Sequence, residues 1–333
     1  MAHATPCKAS DSTLYAAPPG HLTLLMAARR TASFHLPQDP RFSFYLYVPR
    51  SHPVTRRARG EDVSLDGCCE AGKSNGLGTP LAPTVSPTGG KAPGRGPGPK
   101  GFPLLVLIHD SSRDAEKLRD WWADLAEEEG CVVLSPHFPC DLKFPDGPDN
   151  YKRLEWVNAA GETLRFDDIL LQMIDTVSRE WGCVDTTTFA MAGFSGGAQL
   201  AHRFFYLHPE RLHALSVGAP GRATPLLPLQ WPEGIVNAPL TTSGRAIDVT
   251  ELARQTQSGD LKLQLLIGAE DTWHPVQPDG TRTAHSRFDV TMGLAKSWDE
   301  AGIKYDFEIV PDCKHEGEKI RAVAMPWMRK HVR

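Results

Sequence analysis

One stretch, Thr187–Ala201, limits the fold of this chain more than any other part of it. It opens with an apolar run of strand length, Phe189–Ala192, and closes with a helical pattern from Ala198 onward. Between them lies Gly193–Gly197, which matches the pattern Gly-x-Ser-x-Gly with Ser195 at its centre. Because this motif carries meaning only between a strand and a helix, the stretch predicts a sharp turn that presents a serine hydroxyl.

The turn predicts chemistry as well as shape. Small residues are needed two positions before and after Ser195, since a Cβ there would clash with the neighbouring strand and helix. The backbone N–H of Gly196 lies at the helix start, where donors lack partners and the helix dipole favours negative charge. One turn would therefore supply a nucleophile and half of an oxyanion site. The alternative is a glycine-rich turn with an incidental serine, and the flanking strand and helix favour the functional interpretation.

The rest of the chain alternates strand and helix patterns. The other predicted strands lie at 32–36, 41–49, 102–110, 131–136, 212–219, 261–268 and 304–310, and the other predicted helices at 114–129, 164–181, 287–301 and 315–331. This alternation predicts an α/β fold with a doubly wound, mostly parallel sheet of the eight-stranded type. Ligands in such sheets bind beyond the carboxyl ends of the strands, which is where Ser195 falls.

The predicted organisation is one domain over residues 31–333, preceded by a loosely attached arm at residues 1–30. From 51 to 101 the chain is rich in Gly, Pro, Ser and Thr, so it cannot bury enough apolar surface to offset its ordering entropy. We expect a flexible, disordered insertion there, either a lid or a passive loop. The proline-rich segment 222–259 is expected to form a wall or a cap over a pocket. The long loop at 137–161 is typical of a functional or mobile segment.

Composition excludes several classes of partner. The net charge of −4 gives no electrostatic case for nucleic acid or for an anionic membrane. No apolar run reaches the roughly 18 residues that a membrane span needs, and the short apolar segment 21–28 lacks the basic stretch of a signal peptide. The seven cysteines are irregularly spaced, without a Cys-x-x-Cys pair, so we expect no structural zinc and a reducing, cytoplasmic location.

A reactive serine needs a base to take its proton and an acid to hold that base. His315 follows the last predicted strand and is the predicted base, while His274 and His285 are its rivals in the loop after the preceding strand. Asp271 comes just after the strand that ends near Gly268 and is the predicted acid, with Glu270 as the alternative.

The second oxyanion donor is expected in the loop after the strand that ends at His109. The backbone N–H of Ser111 is the first candidate and that of Ser112 the second. Together with the N–H of Gly196, it would stabilise negative charge on a substrate oxygen. These roles belong to the backbone, so side-chain identity decides little.

At this point the chain resembles the α/β-hydrolase superfamily, from about Arg41 to the C-terminus without the insertion. The resemblance depends on the chain order Ser195, Asp271, His315. It also depends on four segments, namely Leu104–Asp110, Gly193–Gly197, Gly268–Asp271 and Val310–His315.

Within the superfamily the chain is similar to intracellular esterases related to polyhydroxybutyrate depolymerases and feruloyl esterases. The segments that carry this narrower similarity are His109–Arg113 and Ser216–Gly221. The family usually has His-Gly where this chain has His109–Asp110, which is a departure within the predicted oxyanion loop.

The resemblance implies hydrolysis of a small-molecule ester, thioester or lactone through an acyl-enzyme, with no cofactor and no metal. An acyltransferase or lyase using the same three residues is one alternative, and an inactive hydrolase fold that serves as a binding protein is another. Five aromatic residues would line a pocket for an aromatic or polyketide-like acyl group, or belong to the core: Phe138, Phe144, Tyr151, Trp231 and Trp273. The sequence indicates neither the substrate nor the oligomeric state.

Overall fold

The computed structural model describes residues 30–31, 33–61, 63, 101–140, 142, 150–157, 161–240, 244–274 and 284–333. Its centre is an eight-stranded sheet in the order β1-β2-β4-β3-β7-β8-β9-β10. These strands are β1 (Phe34–Leu36), β2 (Asp39–Tyr47), β3 (Phe102–Ile108), β4 (Val132–His137), β7 (Val184–Phe194), β8 (Leu212–Gly218), β9 (Lys262–Gly268) and β10 (Asp306–Val310). A separate two-stranded ribbon pairs β5 (Glu155–Val157) with β6 (Thr163–Arg165).

The sheet is mostly parallel, as predicted. Strand β2 runs antiparallel to both β1 and β4, and every other pairing in the sheet is parallel. Strand β7 lies between β3 and β8, so the serine turn leaves the middle of the sheet. Its register shifts between Phe189 and Ala190, and its first half, from Val184, was not predicted as strand.

Eight α-helices occur in the described part of the chain. They are α1 (Pro53–Ala58), α2 (Ala115–Trp121), α3 (Ala123–Glu129), α4 (Phe166–Trp181), α5 (Gly196–Leu207), α6 (Val249–Ser258), α7 (Arg287–Glu300) and α8 (Gly317–His331). The helix predicted over 114–129 is broken at Trp122, whose φ of −105° and ψ of 5° leave the helical region. None of these helices is long and apolar enough to cross a bilayer.

Both faces of the sheet are covered, which explains the continuous apolar run in β3. Leu104 and Val106 point into one cluster of buried side chains, which helices α4, α5, α6 and α7 complete. Leu105 and Leu107 point into a second cluster on the opposite face, which helices α2, α3 and α8 complete. Successive residues of a strand face opposite sides, so each face needs its own apolar set. The predicted doubly wound arrangement is therefore confirmed.

The predicted insertion at 51–101 begins with regular structure. Residues 53–58 form α1, and the ring nitrogen Nδ1 of His52 accepts a hydrogen bond from the N–H of Val54 at 3.3 Å. Most of the remaining insertion, residues 64–100, lies outside the described residues, as does the predicted arm up to residue 29. The predicted cap segment 222–259 contains a helix, α6, that its sequence pattern did not indicate.

Hydrogen bonds tie the carboxyl ends of the parallel strands together. The N–H of Ser195 donates to the carbonyl of Gly218 at 2.8 Å, and the N–H of Ala219 donates to Leu266 at 2.8 Å. The N–H of Ala269 then donates to Val310 at 2.9 Å. The loops after these strands, β7, β8, β9 and β10, consequently leave the sheet side by side at the carboxyl ends of the strands.

Candidate active site

Ser195 occupies the predicted sharp turn between β7 and α5. Its φ of 55° and ψ of −112° are rare for a residue with a side chain, and the surrounding structure must hold them. The flanking glycines show why the turn is so tight. A Cβ on Gly193 would collide with the carbonyl of Gly197, and a Cβ on Gly197 would collide with the carbonyl of Ile108 in β3. The sequence expectation that small residues are required at these two positions is confirmed.

His315 lies within hydrogen-bond distance of the serine hydroxyl. Its Nε2 is 2.8 Å from Ser195 Oγ, and its Nδ1 is 2.6 Å from Asp271 Oδ2. The hydrogen-bond network assigns the proton to Nδ1, because the carboxylate can only accept there. Nε2 is then left free to accept the proton of the hydroxyl.

Packing fixes the plane of the imidazole. The ring of Phe194, the residue before Ser195, lies with its centroid 4.6 Å from that of His315. Gly317 sits against the same phenyl ring, where a Cβ would come within 3.2 Å of it. The sequence motif gives no role to Phe194, because this position in the motif tolerates any residue.

Asp271 is buried, with 1% of its side chain exposed. Its Oδ1 lies 3.5 Å from Nη1 of Arg287, the first residue of α7. Its main-chain carbonyl accepts the N–H of Phe288 at 3.0 Å, so the first turn of α7 holds the acid loop in place. The ring of Trp273 stacks under Arg287, with the guanidinium carbon 4.4 Å from the ring centroid. Burial lowers the pKa of Arg287, while Asp271 opposes that shift.

The loop after β3 orients the peptide that carries the N–H of Ser111. The carbonyl of Asp110 accepts hydrogen bonds from His109 Nδ1 at 2.8 Å and from the N–H of Arg113 at 3.1 Å. In a planar trans peptide the N–H points opposite to the carbonyl, so the N–H of Ser111 is turned away from both donors. The N–H of Ser112 is already used, because it donates to Asp110 Oδ1 at 2.8 Å.

Ser111 lies next to Gly196 at the serine turn. A Cβ built on Gly196 would lie 3.2 Å from Ser111 Oγ and 2.5 Å from the hydroxyl of Tyr151. Among the described residues, neither backbone N–H donates to a protein group. Two backbone donors near Ser195 are thus left without a protein acceptor in the described chain, as an oxyanion site requires.

The departure from His-Gly to His109–Asp110 does not distort the loop. Within the described chain the residues with positive φ include Arg113, at 59°, but not Asp110. His109 itself is buried, and burial holds its pKa well below the usual range, so the ring is neutral. Its Nε2 accepts the N–H of Phe138 at 3.1 Å, and its own carbonyl accepts the hydroxyl of Tyr151 at 3.2 Å.

The rival site residues lie elsewhere. His274 and His285 both act electrostatically on Asp289, in the first turn of α7, and neither lines the cavity beside Ser195. Glu270 is exposed, and its N–H donates to the carbonyl of Cys313 at 2.9 Å.

A cavity of about 500 Å³ opens beside Ser195 and His315. The aromatic residues on its wall are Trp121, Trp122 and Phe194, and none of the four described aromatics that the sequence predicted for the pocket lines it. Phe138 and Tyr151 are buried and stack on one another, Trp231 donates to the carbonyl of Arg153, and Trp273 supports Arg287. Phe144 lies outside the described residues.

No protein-family model matches the chain, and no curated protein sequence matches it significantly. Several solved structures, by contrast, match the chain over most of its length. A poly(3-hydroxybutyrate) depolymerase from Bordetella parapertussis superimposes with a TM-score of 0.60 at 18% identity, covering 94% of this chain and 96% of that one. The poly(aspartic acid) hydrolase-1 of Sphingomonas sp. KT-1 gives 0.56 at 20% identity, over 86% and 92% of the two chains.

An S-formylglutathione hydrolase from Agrobacterium tumefaciens is a further match, with a TM-score of 0.51 at 12% identity over 88% of this chain and 90% of that one. At these identities the matches establish architecture rather than activity. They extend over most of each chain, so the similarity concerns the whole sheet and its helices rather than one motif. The chain has the α/β-hydrolase fold, as its sequence motifs predict.

Proposed function

We propose that this protein is a serine hydrolase that cleaves a carboxylic ester, thioester or lactone through an acyl-enzyme. One observation carries the proposal, namely that His315 bridges Ser195 and Asp271 at 2.8 Å and 2.6 Å beside a cavity. The names of the structural neighbours, which include depolymerases and hydrolases, support the same class of reaction.

In the first half of the reaction His315 takes the proton of Ser195 as the serine oxygen attacks the substrate carbonyl. The N–H groups of Gly196 and Ser111 stabilise the negative oxygen that forms. Asp271 stabilises the imidazolium, which then protonates the departing alcohol or thiol. The acyl group is left on Ser195.

In the second half a water molecule replaces the substrate alcohol. His315 removes a proton from the water as it attacks the acyl-enzyme, and returns that proton to Ser195 as the acid product leaves. Every proton moves among Ser195, His315, the substrate and the water, so the three side chains and two backbone donors suffice. The apolar wall formed by Trp121, Trp122 and Phe194 supports an apolar acyl group, including the aromatic or polyketide-like type.

The test removes the nucleophile. Ser195→Ala is expected to lower kcat on any good ester by about 10⁶-fold while the protein stays folded, because the remaining groups cannot form an acyl-enzyme. Ser178→Ala, on the exposed face of α4, is the matched control and should keep wild-type rates. A Ser195→Ala enzyme that retains most of its activity would show that the nucleophile lies elsewhere.

An acyltransferase or lyase would use the same three residues. Water and an acceptor alcohol or thiol compete for one acyl-enzyme, so the products separate these functions. A hydrolase gives the free acid whether or not an acceptor is present, whereas a transferase gives a new ester or thioester only with the acceptor. A lyase gives an unsaturated product that contains no added water.

A binding protein with an inactive hydrolase fold is the remaining alternative. A serine-directed fluorophosphonate separates it from an enzyme, since only an activated hydroxyl attacks the phosphorus. We expect wild-type protein to be labelled at Ser195 and the Ser195→Ala variant to stay unlabelled. Wild-type protein that is not labelled would support the binding-protein alternative.

The cytoplasmic location and the lack of nucleic-acid partners remain predictions from composition. Cys131, Cys183 and Cys313 are buried free thiols, which fits a reducing compartment, whereas Cys140 is disulfide-bonded, which does not. Fractionation of cells that express the tagged protein would test the location.

A further inference from the structure

Two cations meet on one tryptophan at the wall of the Ser195 cavity. The guanidinium carbon of Arg321, on α8, lies 4.2 Å from the ring centroid of Trp121, on α2. Lys117, one turn earlier on α2, places its Nζ 4.9 Å from the same ring. We call these three residues the Trp121 corner. All three line the cavity that also contains Ser195 and His315.

The guanidinium of Arg321 is partly withdrawn from water without being paired. Its Nη1 is buried and has no hydrogen-bond partner, and no acidic group in the described chain lies within ion-pair distance of it. Burial lowers its pKa, and Glu318 opposes this shift from one turn earlier. An unsatisfied buried donor is costly, and a charged donor more so, which makes Arg321 unusual for a purely structural residue.

The acids around the cavity are committed to other contacts or lie too far from the guanidinium. Asp110 accepts the N–H of Ser112, and Asp114 accepts the N–H of Lys117 as the cap of α2. Glu318 attracts Arg321 through space without forming an ion pair. The remaining cation on the wall, Arg287, already contacts Asp271. The Trp121 corner is therefore the part of the cavity where positive charge has no close partner in the described residues.

We propose that the Trp121 corner binds a carboxylate on the substrate, so that the preferred substrate is an ester that carries a free carboxylate on the same small molecule. The planar guanidinium, held flat on an indole ring, matches the two oxygens of a carboxylate. A cavity of about 500 Å³ suits a small molecule with an apolar segment between that carboxylate and the ester at Ser195. This inference rests on the proposed hydrolase function, because it assigns the substrate class of the same site.

The kinetic test compares esters that differ only in one end group. Monomethyl half-esters of glutarate, adipate and suberate are set against methyl esters of the monocarboxylic acids of equal length, with acid release followed by pH-stat. The half-esters of suitable length are expected to have the higher kcat/KM. Arg321→Gln should lower that preference about 10- to 100-fold, mostly through KM, since it removes a charged hydrogen bond. Arg321→Lys should restore part of it, and added salt should weaken it.

Lys330→Gln is the matched control, because it removes one exposed positive charge from the same helix outside the cavity. It should leave the ratio of the two kcat/KM values unchanged. A wild-type ratio near one, or a ratio that Arg321→Gln does not alter, would overturn the proposal and leave Trp121 as an apolar wall.

A binding measurement separates the failure of this inference from the failure of the hydrolase function. Adipate is titrated by calorimetry into wild-type protein, Arg321→Gln and Lys330→Gln. Binding that only Arg321→Gln loses supports the carboxylate site even if no ester is cleaved. Cleavage of neutral esters with no detectable adipate binding supports the hydrolase and refutes the carboxylate site.

Discussion

Two adjacent carboxylates compete for the role of acid, and their surroundings separate them. Asp271 is buried with Oδ2 at 2.6 Å from His315 Nδ1, whereas Glu270 is exposed to solvent. A carboxylate can hold the tautomer of an imidazole only if it accepts the N–H directly. Burial also keeps competing water away from that hydrogen bond. The acid role therefore belongs to Asp271 in the proposed mechanism.

Asp271→Asn keeps the shape of this side chain but removes its charge. We expect it to lower kcat by about 10⁴-fold with little change in unfolding free energy, because the amide favours the wrong tautomer of His315. Glu270→Gln makes the same chemical change one residue earlier, and should retain wild-type kcat. Steady-state kinetics on one ester test both variants together. Equal losses in the two variants, or a larger loss in Glu270→Gln, would reverse the assignment.

The sequence favoured Asp271 as the acid but left Glu270 open as the alternative. The choice depends on the backbone turn after Gly268, where the N–H of Asp271 donates to the carbonyl of that glycine at 3.1 Å. Ser195 was easier to predict, since its motif and flanking elements are contiguous in the chain. Trp121 and Arg321 could not be paired from the sequence, because α2 and α8 meet only when both pack on the same sheet face.

At the level of elements, a close contact between backbones positions His315. Gly268 ends β9, and a Cβ there would collide with the carbonyl of Cys313 and lie 2.6 Å from that of Lys314. The loop that carries His315 is therefore packed directly against the end of the strand. No side chain larger than hydrogen fits between the two segments.

Gly268→Ala should push that loop away from Ser195. We expect kcat to fall by about 100-fold, since a displacement near 1 Å at a reacting group has that effect. Stability should also fall, by about 1–3 kcal/mol, as in other overpacked sites. Kinetics and urea unfolding measure the two effects.

Gly293→Ala is the control for the loss of a glycine. It lies within α7, and a Cβ there would meet nothing within 4 Å. The alanine should raise stability by about 0.5–1 kcal/mol through helix propensity and leave kcat unchanged. A full-activity Gly268→Ala enzyme would show that the His315 loop tolerates the displacement.

Elements rich in apolar residues were predicted and those poor in them were not. Helix α6 buries only Leu252 and Thr256 of its ten residues, because most of its residues are polar. The first half of β7 is polar and was missed for the same reason, whereas the apolar strands of the sheet centre were found. Tertiary packing, rather than local pattern, decides such segments.

At the scale of the whole molecule, buried neutral histidines connect stability to pH. Burial lowers the pKa of His52 to about 4, and it holds the pKa values of His109 and His202 well below the usual range. These histidines lie in different parts of the fold, at the N-cap of α1, in the loop after β3 and on α5. When the chain unfolds, each regains an ordinary pKa near 6.5 and can take up a proton. Acid therefore favours the unfolded state.

For His52 the direction of this pH dependence of stability follows from its hydrogen bonds. Its Nδ1 accepts the N–H of Val54 and its Nε2 donates to the carbonyl of Gly182 at 3.2 Å, an arrangement that requires the neutral ring. Because the pKa of His52 is lower in the folded than in the unfolded chain, its contribution to the unfolding free energy is complete above about pH 6.5. That contribution is lost as the pH falls toward 4. Between about pH 7.5 and 5 the loss is about 2 kcal/mol.

Two substitutions at this position test that linkage. His52→Asn keeps a side chain that can cap α1, and His52→Ala keeps neither the cap nor the titrating ring. We expect both variants to be less stable than wild type at neutral pH, with the alanine lower by about 1 kcal/mol. The difference in unfolding free energy between wild type and each variant should become smaller as the pH falls. Only the wild type carries the His52 ring, so only the wild type loses the stability that this ring contributes when neutral. Urea unfolding at a series of pH values measures this, and curves that stay parallel to wild type down to about pH 5 would show that His52 takes up no extra proton on unfolding.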